Sequence, residues 1–167
     1  MNHLENQRKS GDDLQLRTAT IADADSLVRL INAAFVVEQI AIAGDRIDRL
    51  GVEKYLSTGR FLLLERGAAL SGCVYVEKRG ERGYLGLLSV DPAWQKLGLG
   101  GQLVRASEEY FRQEGCAGVD LRVISARSEL LPFYEKLGYR VTGTSAMPAH
   151  AALKVPCHFI HLAKSLR

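Results

Sequence analysis

An apolar run from Tyr84 to Val90 stops at Asp91-Pro92, and glycines at 98, 100 and 101 then lead directly into a helical pattern. Proline withdraws a strand donor and so ends the run. The glycines open a loop at a helix start, where several backbone N–H groups lack an intrahelical partner and the macrodipole adds partial positive charge. Strand, glycine loop and helix in that order call for an α/β chain with an anion cradle at the junction, most simply for a phosphate. The same glycines also suit a tight turn that holds no ligand.

Known phosphate loops narrow the choice. A nucleotide P-loop needs Lys and then Ser or Thr after its last glycine, whereas Gly101 and Gln102 follow Gly100 here. A dinucleotide fingerprint needs a third spaced glycine, and Leu103 occupies that place, although Asp120 falls near the expected acidic position.

Gln95-Lys96-Leu97-Gly98-Leu99-Gly100 resembles the acyl-CoA pyrophosphate loop of the GNAT superfamily of N-acetyltransferases at every fixed place: Gln or Arg, two residues, Gly, one residue, Gly or Ala. Ser89-Val90-Asp91-Pro92 resembles the end of that family's fourth strand. The run from Leu131 through Phe133-Tyr134 to Tyr139 resembles its last helix and following strand. The similarity covers residues 84 to 143 and keeps the family order.

The resemblance implies an α/β (α+β) fold: a mixed, mostly antiparallel central sheet, splayed parallel fourth and fifth strands, and helices on both faces. It implies acetyl-CoA as cofactor and transfer of its acetyl group to a primary amine, small-molecule or peptide, by direct attack on the thioester. Main-chain groups of Leu88, Ser89 and Val90 would hold the pantetheine arm, with an N–H near Val90 facing the oxyanion. The loop Gln95, Lys96, Leu97, Gly98, Leu99, Gly100 and Gly101 would hold the pyrophosphate through its amides. Tyr134 stands where the family has a tyrosine that touches the cofactor and donates to the departing sulfur.

Two departures matter. Seven residues before the tyrosine the family often has Asn, but this chain has Arg127, which could reach a CoA phosphate or an anionic substrate instead. Family members often place a Glu on the fourth strand as base, yet Tyr84 to Val90 holds no carboxylate and no histidine. A non-catalytic acyl-CoA-binding module or sensor therefore stands as the alternative to an enzyme. In the family the region between the first two helices closes over the acceptor, which makes Glu38, Asp45, Arg46 and Asp48 candidate substrate contacts. His150, His158 and His161 are further candidates for a base.

The remaining composition bounds partners and compartment. The 167 residues are 47% apolar and 25% charged, with net charge +3, too small and scattered an excess to call for nucleic acid. Cys73, Cys116 and Cys157 have no paired or metal-ligating spacing, so a reducing cytoplasm and no metal are expected. No run approaches a membrane span. Residues 1–12 are expected to form a loose tail and 13–167 a single N-acetyltransferase domain. A homodimer is compatible with these features.

Periodicity supplies the elements. Leu14 to Thr18 alternates as a strand with one buried face. Thr20 and Asp23 cap a helix bearing Leu27, Leu30, Ile31, Ala34 and Phe35. A second helix is expected from Asp45 to Ser57, with Ile47, Leu50, Tyr55 and Leu56 inward. Phe61 to Leu64 is a strand covered on both faces, joined as a hairpin to Leu70 to Glu77. After Tyr84 to Val90, a helix from Gly101 to Glu114 turns Leu103, Val104, Ser107, Tyr110 and Phe111 inward and Arg105, Glu108, Glu109 and Arg112 outward. Val119 to Ile124 is the fifth strand, and a helix starting between Ser128 and Pro132 ends near Leu137. Tyr139 to Gly143 and Val155 to Leu162 form a final antiparallel pair.

Overall fold

The computed structural model describes residues 13–167; the expected tail at 1–12 lies outside the described residues. In chain order the elements are β1 (Leu14–Thr18), α1 (Ala24–Phe35), α2 (Arg49–Thr58), β2 (Arg60–Arg66), β3 (Ala69–Arg79), β4 (Arg82–Val90), α3 (Leu99–Gln113), β5 (Gly118–Ile124), α4 (Leu130–Lys136), β6 (Arg140–Ala146) and β7 (His158–Ser165). Short 3-10 turns at Ile21–Asp23, Val36–Ile40 and Pro92–Trp94 complete the set.

All seven strands join one sheet in the order β1-β2-β3-β4-β5-β7-β6. Only β4 and β5 run parallel; the other neighbours are antiparallel. The unbroken apolar run of β2 is explained by cover on both faces. Leu62 and Leu64, with Val74 and Val76 of β3, pack against α3, whereas Phe61 and Leu63, with Cys73 and Tyr75, pack against α1 and α2. Each strand thus contributes alternate side chains to two cores.

The first helix forms as its pattern requires: Ala24, Leu27, Leu30 and Ile31 are buried, and Asp23 Oδ2 accepts from the Thr20 amide at 2.8 Å. Four expectations need correction. The second helix begins at Arg49 rather than Asp45, because the extended Asp48 caps it by accepting from Gly51 N at 2.8 Å. This start turns Leu50 outward, 74% exposed, and buries Val52 instead. Strand β1 lies at the sheet edge and has no buried face, with Leu16 51% exposed.

Glu108 is the third correction. It is buried, and Lys164 of β7 reaches it at 2.5 Å, so an ionic partner allows it on the inward side of α3. The final strand starts at His158 rather than Val155 and lies between β5 and β6. Among the described residues, no helix is long and apolar enough to cross a membrane.

Candidate active site

The sheet is open at its centre. Strands β4 and β5 pair over only three positions, Arg82–Gly118, Gly83–Val119 and Tyr84–Asp120. Beyond them β5 continues to Ile124 paired only with β7, which leaves the facing edge of β4 unpaired from Leu85 onward. At the closed end the Arg82 guanidinium grips Asp120 with two bonds of 2.7 and 2.9 Å. At the open end β4 bulges: Leu87 and Leu88 together oppose Val74, and Leu87 takes φ +50°. The bulge turns Leu87 toward α1 while Leu88 stays on the α3 side.

The glycine loop follows directly. Asp91 Oδ1 accepts from Ala93 N at 2.8 Å, and Gln95 Nε2 reaches back to the Val90 carbonyl at 3.2 Å. Gly98 adopts φ +81°, a left-handed conformation that favours glycine, and α3 starts after it. Its first i to i−4 bond is donated by Gln102 N to Gly98 O, so the amides of Leu99, Gly100 and Gly101 precede the helical ladder. A Cβ on Gly100 would stand 3.3 Å from the Phe133 ring and 4.0 Å from Leu88, so this glycine brings α3 close to both α4 and β4.

A cavity of about 330 Å³ occupies the parting of the strands, a size suited to a small ligand. Leu85, Leu87 and Leu88 wall it from β4, and Leu121, Val123 and Ile124 from β5. Its roof comes from two segments far apart in sequence. Lys154 N donates to Ala41 O at 2.7 Å and Ala43 N to Ala152 O at 2.9 Å, tying the turn after α1 to the β6–β7 connection.

Tyr134 lines the cavity from α4 and is 4% exposed, its ring edge-on to Phe133 and Tyr139 at centroid distances of 4.9 and 5.8 Å. Burial pushes its phenol well above the ordinary tyrosine value, with the Arg127 charge opposing. Glu38 lines the cavity from the Val36–Ile40 turn and is 8% exposed. Its Oε1 lies 3.4 Å from Arg127 Nη1, and Arg127 Nε is held by Glu129 at 2.5 Å. Burial raises the Glu38 carboxyl above the ordinary carboxylate range, against the lowering effect of Arg127 and Arg46.

The structure thus brings Leu88, Glu38, Asp45, Arg46, Arg127 and Tyr134 to one cavity, with Asp45 and Arg46 exposed and Arg46 lying 5.4 Å from the Phe35 ring centre. Val90, Gln95, Lys96, Leu97, Gly98, Leu99, Gly100 and Gly101 do not line it; they form the strand end, loop and helix start beyond Leu88. Ser89 turns away, its hydroxyl bonded to Leu87 O at 2.9 Å, so only its main chain is available. None of His150, His158 and His161 lines the cavity. Sequence reasoning missed the Glu38–Arg127 pair, which joins positions 89 apart with no shared motif.

A mixed sheet that parts between two parallel strands, over a buried tyrosine and beside a glycine-led helix start, defines a splayed-sheet α/β fold. The chain belongs to the acetyltransferase (GNAT) family, whose pattern matches residues 25–139. A mycothiol acetyltransferase of Propionibacterium freudenreichii subsp. shermanii is 30% identical over 129 residues, which are 73% of this chain and 41% of that protein. The chain therefore spans less than half the length of that relative. The ribosomal-protein-S18-alanine N-acetyltransferase of Escherichia coli has the same fold, with TM-score 0.75 at 16% identity over 92% of this chain and 94% of its own. So does yncA of Salmonella typhimurium, solved with its cofactor acetyl-CoA, with TM-score 0.72 at 20% identity over 93% and 95%.

Proposed function

We propose that residues 13–167 act as one N-acetyltransferase domain that moves an acetyl group from acetyl-CoA to a primary amine by direct attack. The observation that carries this is the placement of Tyr134, buried against the cavity where β4 and β5 part. The unpaired β4 edge and the free amides at the start of α3 fit the acyl donor's amide-bearing arm and its pyrophosphate. When bound, acetyl-CoA supplies an activated thioester carbonyl.

The chain's own residues then divide the work. Main-chain groups from Leu88 to Val90 hold the arm in line with the cavity, and an N–H near Val90 faces the developing oxyanion. The amides from Leu97 to Gly101 hold the pyrophosphate, with Gln95 bracing the loop against β4. Tyr134 donates a hydrogen bond to the departing sulfur. With ordinary values of about 10 for a phenol and about 8.5 for a thiol, full proton transfer is uphill by about 2 kcal/mol. Burial raises the phenol further, so Tyr134 stabilises the thiolate as a donor without surrendering its proton.

Arg127, Asp45 and Arg46 border the acceptor's space, which fits an amine on a small molecule or a peptide. The free thiols of Cys73, Cys116 and Cys157 support a reducing compartment, the cytoplasm. A non-catalytic acyl-CoA sensor has weaker support than from sequence, because a carboxylate does face the cavity, from outside β4. Release of CoA from acetyl-CoA, measured against polyamines, amino acids, aminoglycosides and lysine peptides, tests the proposal. Turnover on one class establishes it; tight acetyl-CoA binding without release on any amine overturns it.

A further inference from the structure

An amine attacks a thioester only when neutral, and a lysine-like ammonium of ordinary value about 10.4 costs about 4.6 kcal/mol to deprotonate at pH 7. A proton acceptor on the cavity lowers that cost. β4 has no carboxylate there, and His150, His158 and His161 lie elsewhere. Among the described residues two carboxylates line the cavity: Asp45, exposed on the rim, and Glu38, buried in the wall. On the acetyl-transfer reading, we infer that Glu38 takes the proton from the acceptor amine, and that Arg127 is the positioning residue that aims its carboxylate.

The geometry supports this division. Ala41 N and Ile42 N both donate to the Glu38 carbonyl at 2.9 Å, which fixes the main chain of the turn and with it the root of the side chain. Among the described residues Arg127 is the one side-chain donor to the carboxylate, and at 3.4 Å its bond is long. Arg127 meanwhile spends its Nε on Glu129. Glu38 is thus oriented but weakly satisfied, with accepting capacity left for an incoming ammonium. Among the described residues the charged and titratable groups around it or on the same cavity are Arg127 and Glu129 from the β5–α4 connection, Arg122 from β5, Arg46 and Asp45 from the rim, Tyr55 from α2, Tyr84 from β4 and Tyr134 from α4. A partly compensated carboxylate in a buried wall is the environment in which a base is tuned upward toward neutral pH.

The step balances. One ammonium N–H bond breaks and its proton passes to Glu38 and on to solvent. The freed nitrogen pair forms the C–N bond, and the C–S bond breaks with its electrons on sulfur. A second nitrogen proton ends on that sulfur, giving amide and thiol.

The test uses the full chain, the amine panel above and Glu38→Gln, which keeps shape and removes basicity. Expected is a loss of about 100-fold in kcat/KM at pH 7, shrinking as pH rises and the amine becomes neutral unaided, with unchanged acetyl-CoA affinity. The wild type should show an acid limb that the Gln variant lacks, and Arg127→Met should move that limb to higher pH. Carbon-13 NMR of the Glu38 carboxyl in the free wild-type protein gives a readout independent of turnover and of variant folding. Titration above the ordinary carboxylate range, moving further up in Arg127→Met, supports the assignment; titration near about 4.3 overturns it. Turnover within about two-fold of wild type in Glu38→Gln, with the same limb, overturns the base alone. No CoA release by the wild type on any amine overturns the transfer reading and the base with it.

Discussion

Lys164 Nζ stands 2.5 Å from Glu108 Oε1 and 2.7 Å from the Leu137 carbonyl, joining β7 to α3 and to the end of α4 in one contact. Glu108 is 3% exposed, so it depends on that cation. Removing one partner of a buried pair leaves an uncompensated charge, which costs about 3 kcal/mol or more. Lys164→Met should therefore lower the urea midpoint by about that equivalent, and Glu108→Leu added to it should recover most of the loss.

Gly98 and Gly100 are needed for different reasons. At φ +81° any L side chain at Gly98 is strained, by about 1–2 kcal/mol, although nothing lies within 4 Å of the added Cβ. At Gly100 the constraint is contact with Phe133 and with whatever sits on the loop amides. Gly98→Ala should lower the melting temperature modestly. Gly100→Val should abolish acetyl-CoA binding by calorimetry in a protein that still folds; undiminished affinity would remove the loop from the phosphate site.

Tyr134→Phe deletes one oxygen from a packed ring and leaves the cavity walls in place. Turnover should fall about 100-fold while the Kd for acetyl-CoA stays within about two-fold. Because burial raises the phenol, its protonated, donating form persists past the ordinary value of about 10, so no alkaline loss of rate below that pH should trace to this residue.

Cys73 is fully buried beside β4, and desolvation pushes its thiol from 9.0 up to about 12. A group raised in the folded state contributes stability that is whole below its ordinary value and declines as pH rises from about 9 toward 12. Thiol titration of the native protein at pH 8 should find Cys157, half-exposed, reacting first and Cys73 silent until unfolding.

How much of this could be read from the letters depended on the range of the interaction. Strand β2, the cap at Thr20, the stripe of α1 and the parting of β4 from β5 each follow from a local pattern or from a motif that fixes its neighbours. The start of α2 was misplaced by four residues, because charged residues at 45 and 48 serve equally well inside a helix or before it, and only Asp48 found Gly51 N to cap. Glu108 reads as solvent-facing because helical periodicity alone cannot show that Lys164, fifty-six positions on, meets it. The candidate site divided in the same way. The loop and Tyr134 were legible as motifs, whereas the Glu38–Arg127 contact exists only once a turn after α1 and a turn after β5 have folded onto one cavity.

Strand β7 slots between β5 and β6, so the outer edge of β5 is closed by residues 158–165. Until these are available, β5 holds to the sheet by its three register pairs with β4. Strands β1 to β4 pair among themselves within the first ninety residues, apart from the three positions that β4 shares with β5. During synthesis the four-stranded half of the sheet and the glycine loop thus emerge long before the second wall of the cleft can be pinned, and the cleft becomes two-walled last.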